Sequence, residues 1–496
     1  MKKSFFILVI ICLSAKSFLA QPCKEIIGYY PNWQWYDRNK LVQPSTIAYH
    51  KYSVINYCFF KPESTGAISN TDSWADENLL QGQINWSTSP YSYYPNTSLV
   101  DLAHNAGTKV MVSIGGWTLS DNFPTIAASA GTRTMFASEC CRLIRFYHFD
   151  GIDIDWEYPG FSGHSGTSAD KHNFTLMLQQ VRDSLNVLGQ AHNKNYLLSA
   201  CFSAASSNAA NIEWNNVSGI LDMINLMTYD FFGAWDCTAN HNTPLYTTNV
   251  GDPAFNINSA WNMLTLTYGV APSKINVGVA FYGRSQTGAT ALYQPTNCGV
   301  DNITFQADAG SPLYYNIMAS MGLFTAYWDN TAQVPYLLGN TGGAAAGTFV
   351  SYDNKQSIGL KAQYIKNKGA RGAIIWEITG DYMETSPGSG VIAGTPLADT
   401  LNTVFCSSSV VTGIVTAETE TPALYPNPAS DAVFVNLREH AVLSVFSVHG
   451  ELVESQVLQE GLHRIDISGL TEGIYFMHVQ TKNKLYVTKC LKQSDH

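Results

Sequence analysis

One short run narrows the choice of fold more than any other. From Asp153 to Glu157 acidic and bulky apolar residues alternate, as Asp153-Ile154-Asp155-Trp156-Glu157, with Asp150 just upstream. Successive side chains on a β-strand point to opposite faces. Asp153, Asp155 and Glu157 therefore share one face, and Ile152, Ile154 and Trp156 share the other. A closed barrel accommodates both. The apolar set packs under surrounding helices, and the acids line the lumen, rising toward the C-terminal mouth where barrel active sites lie. Neighbouring acids about 7 Å apart at Cα in a poorly solvated lumen cannot all be ionised cheaply. At least one is expected to hold a proton at neutral pH, as a general acid must. Asp150, at an odd offset, falls off that face and is read as structural.

The rest of the chain agrees with a barrel. Short apolar strands alternate with helical stretches over residues 24–405, the pattern of a parallel α/β sheet. Eight strands are predicted, at 24–33, 53–61, 109–117, 149–158, 196–205, 221–231, 274–284 and 370–379. Helices are predicted at 133–148, 171–188 and 357–368. No Gly-rich dinucleotide loop follows the first strand, so the eight repeats point to a (β/α)8 TIM barrel rather than a doubly wound sheet. The connection at 285–352 is too long for a plain loop and reads as a small inserted α+β subdomain between strands seven and eight, forming a wall beside the site. After Cys406 a linker over 406–421 gives way to short alternating strands, which predict a small β-sandwich over 422–496. Its strands are read at 432–437, 441–447, 463–467, 473–481 and 484–489.

A chain of 496 residues has room for such a barrel and a second domain. Residues 1–20 carry Lys2 and Lys3, a short apolar stretch and small residues up to Ala20, the layout of a signal peptide. That stretch is shorter than the roughly 20 residues a membrane span needs, and no later segment is long enough. A secreted or cell-surface protein is expected. Its net charge of -10, with scattered cations, argues against a nucleic-acid or anionic-membrane partner. Sparse charge and many aromatics near strand ends suit a neutral ligand, and ring faces pack well on the C–H faces of pyranoses. Of ten cysteines, Cys12 leaves with the signal; the other nine include at least one unpaired thiol, and Cys140 and Cys141 are read as buried small residues.

Asp-x-Asp also opens calcium loops, but here the intervening positions are apolar and strand-forming, and the Gly and distal Glu of such a loop are missing. No metal and no cofactor is expected.

Five further motifs stand in order along the same strands. They are Gly28-Tyr29-Tyr30-Pro-Asn-Trp33, Ser113-Ile-Gly115-Gly116-Trp117, Met227-Thr-Tyr229-Asp230, Phe281-Tyr282-Gly283-Arg284, and Trp376 on the last strand. Together with Asp150-x-x-Asp153-x-Asp155-x-Glu157, this set resembles glycoside hydrolase family 18, the chitinases and their relatives. The resemblance implies a retaining hydrolase in which Glu157 protonates the leaving glycosidic oxygen. The substrate's own 2-acetamido carbonyl attacks the anomeric carbon to form an oxazolinium ion, outside the usual two-carboxylate scheme. It further implies that Asp155 holds the acetamido N–H and Tyr229 its carbonyl oxygen. Asp153 shares a proton or hydrogen bond with Asp155, and Tyr29 and Ser113 satisfy Asp153. Trp376 becomes the floor under the distorted sugar, with Trp33, Trp117 and Trp235 extending a stacking track. Asp230, Tyr282 and Arg284 reach sugar hydroxyls, and Met227 contributes packing rather than chemistry. The expected substrates are chitin or chitooligosaccharides and the expected state is a monomer. An endo-acting enzyme on N-linked glycans and a catalytically silent chitin-binding lectin are the alternatives.

In the tail, Leu424-Tyr-Pro-Asn-Pro-Ala-Ser430-Asp431, Leu443-Ser-Val-Phe and Gly473-Ile-Tyr475-Phe resemble the C-terminal sorting domain of bacterial type IX secretion. The partner this implies is the secretion machinery.

Overall fold

Eight parallel strands close on themselves in a computed structural model that describes residues 23–407 apart from 309, and 424–493 apart from 438, 448–451 and 482–484. The expected signal peptide, and all of the expected linker but its first two residues, lie outside the described residues. The barrel strands are β1 (Glu25–Pro31), β2 (Val54–Pro62), β3 (Lys109–Gly115), β4 (Gly151–Asp155), β5 (Leu197–Ser203), β6 (Met223–Met227), β7 (Ile275–Ala280) and β8 (Gly372–Trp376). Each pairs in parallel with its neighbours, and β1 pairs with both β2 and β8, so the barrel has no edge. All eight predicted strands are present, seven of them shorter than read and the second shifted by one residue at equal length. The fourth ends at Asp155, which leaves Glu157 just beyond the ladder at the C-terminal mouth.

Side-chain parity builds two cores. Ile152, Ile154 and Trp156 join Ile26, Tyr30, Val112 and Ile114 in the large apolar layer under the helices. The alternate residues Ile27, Tyr29, Met111, Cys201, Met223 and Ile374 fill the lumen. The helices read at 133–148, 171–188 and 357–368 are Ala130–Tyr147, Asp170–His192 and Lys355–Asn367. The last begins where Asn354 and Ser357 exchange side-chain-to-backbone hydrogen bonds of 3.0 and 2.9 Å, satisfying two otherwise orphaned donors. Asp353 and Lys361, both fully buried, form an ion pair of 2.7 Å against this helix.

Between β7 and β8 lies the inserted α+β unit. Its antiparallel sheet runs in the order Arg284–Thr287, Thr348–Ser351, Val334–Gly339, Phe324–Asp329, beside the helix Tyr314–Ala319. A disulfide from Cys237 to Cys298 ties it to the loop after β6. A second disulfide, Cys23 to Cys406, joins the start of β1 to the helix Pro396–Cys406. Cys406 was read as the head of the linker; it is instead the last residue of that helix, since an amphipathic stretch with Leu397, Leu401 and Phe405 buried carries the helix to it. Cys58, Cys140, Cys141, Cys201 and Cys490 are free and buried.

Residues from 424 onward form a separate unit of two antiparallel sheets, one of three strands and one of four, with Val433, Val435, Leu443, Val445, Ile465 and Met477 between them. The sequence reading passed over the strand Leu452–Leu458. It lies at the edge of the four-stranded sheet with Leu452, Val453 and Val457 exposed, so it lacks the apolar-in, polar-out alternation that marked the others.

Candidate active site

Strand register places the polar lumen. Ser113 on β3 and Ser199 on β5 are the direct partners of Asp153 on β4, one on each side. Both hydroxyls donate to its carboxylate, Ser113 Oγ at 2.8 Å and Ser199 Oγ at 2.5 Å. Tyr29 Oη adds a third donor at 2.9 Å and Asn225 Nδ2 a fourth at 3.1 Å. Cys201 Sγ stands 3.7 Å from the same group. Burial pushes the Asp153 carboxyl up, and these donors oppose it.

One turn of the pleat higher, Asp155 is in a different situation. Its Oδ1 is buried and has no hydrogen-bond partner, and among the described residues no hydrogen bond joins it to Asp153. Burial, then the charges of Glu157 and Asp153, raise its carboxyl well above the ordinary range. The close approach of β3 makes this compactness possible. Gly115 has φ of 110°, and a Cβ there would stand 2.3 Å from the Asp155 carbonyl oxygen. Gly116 N–H donates to that same oxygen at 2.7 Å.

Glu157 is held by its backbone. Its N–H donates to Ser120 Oγ at 2.9 Å, and its carbonyl accepts from His164 Nδ1 at 2.7 Å. Burial lifts its carboxyl to about 7, with the nearby charge of Asp230 adding to the rise and a hydrogen bond from Tyr158 opposing it. A carboxylic acid half-protonated near neutrality, at the mouth of the barrel, can donate a proton to a leaving oxygen and take one back.

A cavity of about 1040 Å³ opens above these groups. Asp155, Glu157, Tyr229, Tyr29, Trp33 and Trp117 line it, as do Met227, Asp230, Trp235, Arg284 and Trp376. Of the residues singled out from sequence, Asp153 and Tyr282 lie behind the wall. Tyr282 Oη donates to Asp230 Oδ1 at 2.5 Å, and Arg284 pairs with the same oxygen at 2.6 Å, so the three form one fixed group. The Arg284 guanidinium also lies over the Trp235 ring, 5.0 Å from its centroid. Trp376 lines the cavity, stacked on Phe59 with centroids 5.7 Å apart and packed against Tyr29 at 5.8 Å. Trp33, Trp117 and Trp235 are 47%, 52% and 57% exposed, open to a ligand rather than committed to the core.

Asp150 faces away from the lumen, accepting from His104 and the Val110 N–H at 2.7 and 2.9 Å. Sequence reasoning missed Phe59, Ser199, Cys201 and Asn225. The available signal was parity on their own strands, but a serine, a cysteine or an asparagine in a strand marks nothing unless its neighbour across the ladder is known. Among the described residues, no group of three metal-ligating side chains is present. A larger hollow of about 1480 Å³ on the outer helices is built differently. Its Arg182 and Lys274 are already spent on Asp222 and on backbone carbonyls.

Comparisons with known proteins agree with this geometry. A family model described as Glycosyl hydrolases family 18 matches residues 25–381, and one described as a Secretion system C-terminal sorting domain matches 423–493. The protein named Chitinase A1 from Niallia circulans is 34% identical over 422 residues, which is 74% of this chain and 59% of that one. The chain thus spans about three fifths of that relative. Endochitinase 1 of Metarhizium robertsii is 32% identical over 71% of this chain and 80% of its own length. Among solved structures, a chitinase from Bacillus thuringiensis superimposes with a TM-score of 0.67 at 29% identity, covering 95% of this chain and 85% of that one. The Ostrinia furnacalis Group IV chitinase in complex with allosamidin gives 0.66 at 26% identity, over 78% of this chain and all of that one. With the family match running from the first barrel strand past the eighth, and the acidic strand at its centre, this chain belongs to glycosyl hydrolases family 18.

Proposed function

We propose that the protein is an exported chitinase that hydrolyses β-1,4 bonds between N-acetylglucosamine units with retention, through an oxazolinium ion. The observation that carries this reading is the pair formed by Glu157, its carboxyl raised to about 7, and Asp155, whose buried Oδ1 has no partner. A free buried acceptor beside a proton donor fits a substrate that brings its own N–H.

In the first step Glu157 gives its proton to the glycosidic oxygen as the bond from that oxygen to the anomeric carbon breaks. The acetamido carbonyl oxygen bonds to the same carbon from the opposite face. Asp155 accepts the acetamido N–H and stabilises the positive charge, and Tyr229 donates to the carbonyl oxygen. Asp153, held by its four donors, shares one negative charge with Asp155. Water then attacks the anomeric carbon as its bond to the acetamido oxygen breaks, the water proton passes to the Glu157 carboxylate, and the original configuration returns. Trp376 is the surface on which the distorted sugar stacks.

A polymeric substrate is favoured over an N-linked glycan by the aromatics beyond the cavity. Asp72 in the cavity wall accepts from exposed Tyr36 at 2.9 Å, and exposed Trp74 follows two residues later. Trp86, 69% exposed, packs with Tyr91 at 5.4 Å. Exposed rings of this kind suit a long chain of sugars rather than a branched core. The match of the tail to a sorting domain supports export, with the signal peptide over 1–20 and the tail over 422–496 acting in turn. The deciding experiment is cleavage of an N-acetylglucosamine hexamer with anomer analysis, beside a glycoprotein substrate. Initial release of the β-anomer that Glu157→Gln abolishes supports the reading. Release of glycans from the glycoprotein with no attack on the hexamer overturns it in favour of an N-glycan enzyme, and binding without turnover makes it a lectin.

A further inference from the structure

The proton donor stands beyond the end of β4, so no strand ladder holds its peptide. Side chains hold it instead. Ser120 Oγ accepts the Glu157 N–H at 2.9 Å and in turn donates to the Gly116 carbonyl at 2.9 Å. On the other side, the Glu157 carbonyl meets His164 Nδ1 at 2.7 Å. A carbonyl oxygen can only accept, so Nδ1 carries the proton. His164 belongs to none of the motifs read from the sequence; it ends a short helical turn, Ser162–His164, in the loop after β4. The same imidazole has a second contact. Its ring lies 4.7 Å from that of Trp117, and Phe161 joins the group at 5.7 Å from Trp117 and 5.5 Å from His164. Trp117 is half exposed and lines the cavity. One side chain therefore touches both the peptide of the acid and a ring open to the ligand.

We infer that His164 is a positioning residue that ties the proton donor to the stacking surface, its Nδ1–H fixing the Glu157 peptide and its ring supporting Trp117. The inference rests on the hydrolytic reading above. The two tasks use different parts of the imidazole. An N–H at the right distance fixes the peptide, and a flat ring supports the indole. A sugar seated on Trp117 and the oxygen that Glu157 protonates are thereby set relative to each other through one side chain. Such alignment of acid and substrate is where much of a catalytic barrier is removed.

The test separates the two tasks with three variants of the full chain, following kcat and KM on the N-acetylglucosamine hexamer. His164→Ala removes both parts; kcat falls about fivefold, the worth of one neutral hydrogen bond, and KM rises about threefold. His164→Asn keeps an N–H close to the place of Nδ1 and lacks the ring. Its kcat returns to within about twofold of wild type, and KM stays raised. His164→Phe keeps a ring without the donor, so KM returns and kcat stays low. With Trp117→Ala already in place, His164→Asn raises KM no further. An unchanged His164→Ala, parallel losses in all three variants, or the failure of either rescue overturns the role of His164 and leaves the chitinase reading standing. A wild type that leaves the hexamer intact overturns that reading and this role with it. A second measurement needs no turnover. With isotope-labelled imidazole nitrogens, the magnetic-resonance signal missing from His164→Asn should be that of a ring protonated at Nδ1. A ring protonated at Nε2 alone means no such hydrogen bond, and the inference fails.

Discussion

Replacing Glu157 by glutamine is expected to abolish turnover and, above neutrality, to make the fold more stable. Burial raises the carboxyl from 4.5 to about 7. Between those values the folded chain holds a proton that the unfolded chain has released, so stability falls as pH rises through that window. The favourable contribution is fully present below about 4.5 and gone above about 7. That rise corresponds to about 3 kcal/mol. That is an upper bound, because the carboxylate borders a solvent-filled cavity that screens it; about 1–2 kcal/mol is the expected cost of the charge. A unit of roughly 385 residues melts with an entropy near 0.8 kcal/mol/K, so this cost equals about 1–3 °C. Scanning calorimetry of the wild type and Glu157→Gln at pH 5 and pH 8 reads it directly. The variant should melt higher at pH 8 and show no gain at pH 5. Equal gains at both pH values, or none at pH 8, would refute the claim that the proton donor sits where its charge is disfavoured.

Asp230→Asn removes a charge that raises the Glu157 carboxyl, so the basic limb of kcat against pH should move to lower pH, and an unmoved limb would exclude that coupling. Lys361→Met leaves fully buried Asp353 without its cation and should cost about 3–5 kcal/mol in urea unfolding, most of it regained in the double variant with Asp353→Leu. Cys23→Ser with Cys406→Ser opens a very long covalent loop and should lower stability by about 2–4 kcal/mol while leaving kcat unchanged. Fully deacetylated chitosan and cellulose should remain uncut, and a thiazoline mimic of the oxazolinium ion should inhibit; comparable rates on cellulose would exclude participation of the acetamido group.

The barrel was legible because a period of two and a period of 3.6 are written locally. The row Asp153, Asp155, Glu157 fell on one face by counting alone, and Asp150 fell off it. Ser113 and Tyr29 were reachable because they sit in recognisable motifs. Ser199, Asn225 and Cys201 were not, since their relevance comes from ladder register across strands more than 40 residues apart in the chain, with Ser199↔Asp153 the direct case. Phe59 looked like ordinary core in an apolar run, and only the stacking of Trp376 on it shows that it backs a residue of the cavity wall. The partners Cys23 and Cys406 are separated by 383 positions, a distance at which spacing carries no information about pairing. The edge strand Leu452–Leu458 was hidden for the opposite reason, since exposure removed the alternation that would have marked it.

The Cys23–Cys406 bond has a mechanical meaning. The chain leaves the barrel through Cys406, and everything that follows, including the sorting tail, is attached at that point. A pull on the tail enters the folded unit at Cys406 and passes through the bridge to Cys23, just before β1. The bridge thus divides such a load between the helix Pro396–Cys406 and β1, and the closed ladder in which β1 pairs with both β2 and β8 spreads what β1 receives around the barrel.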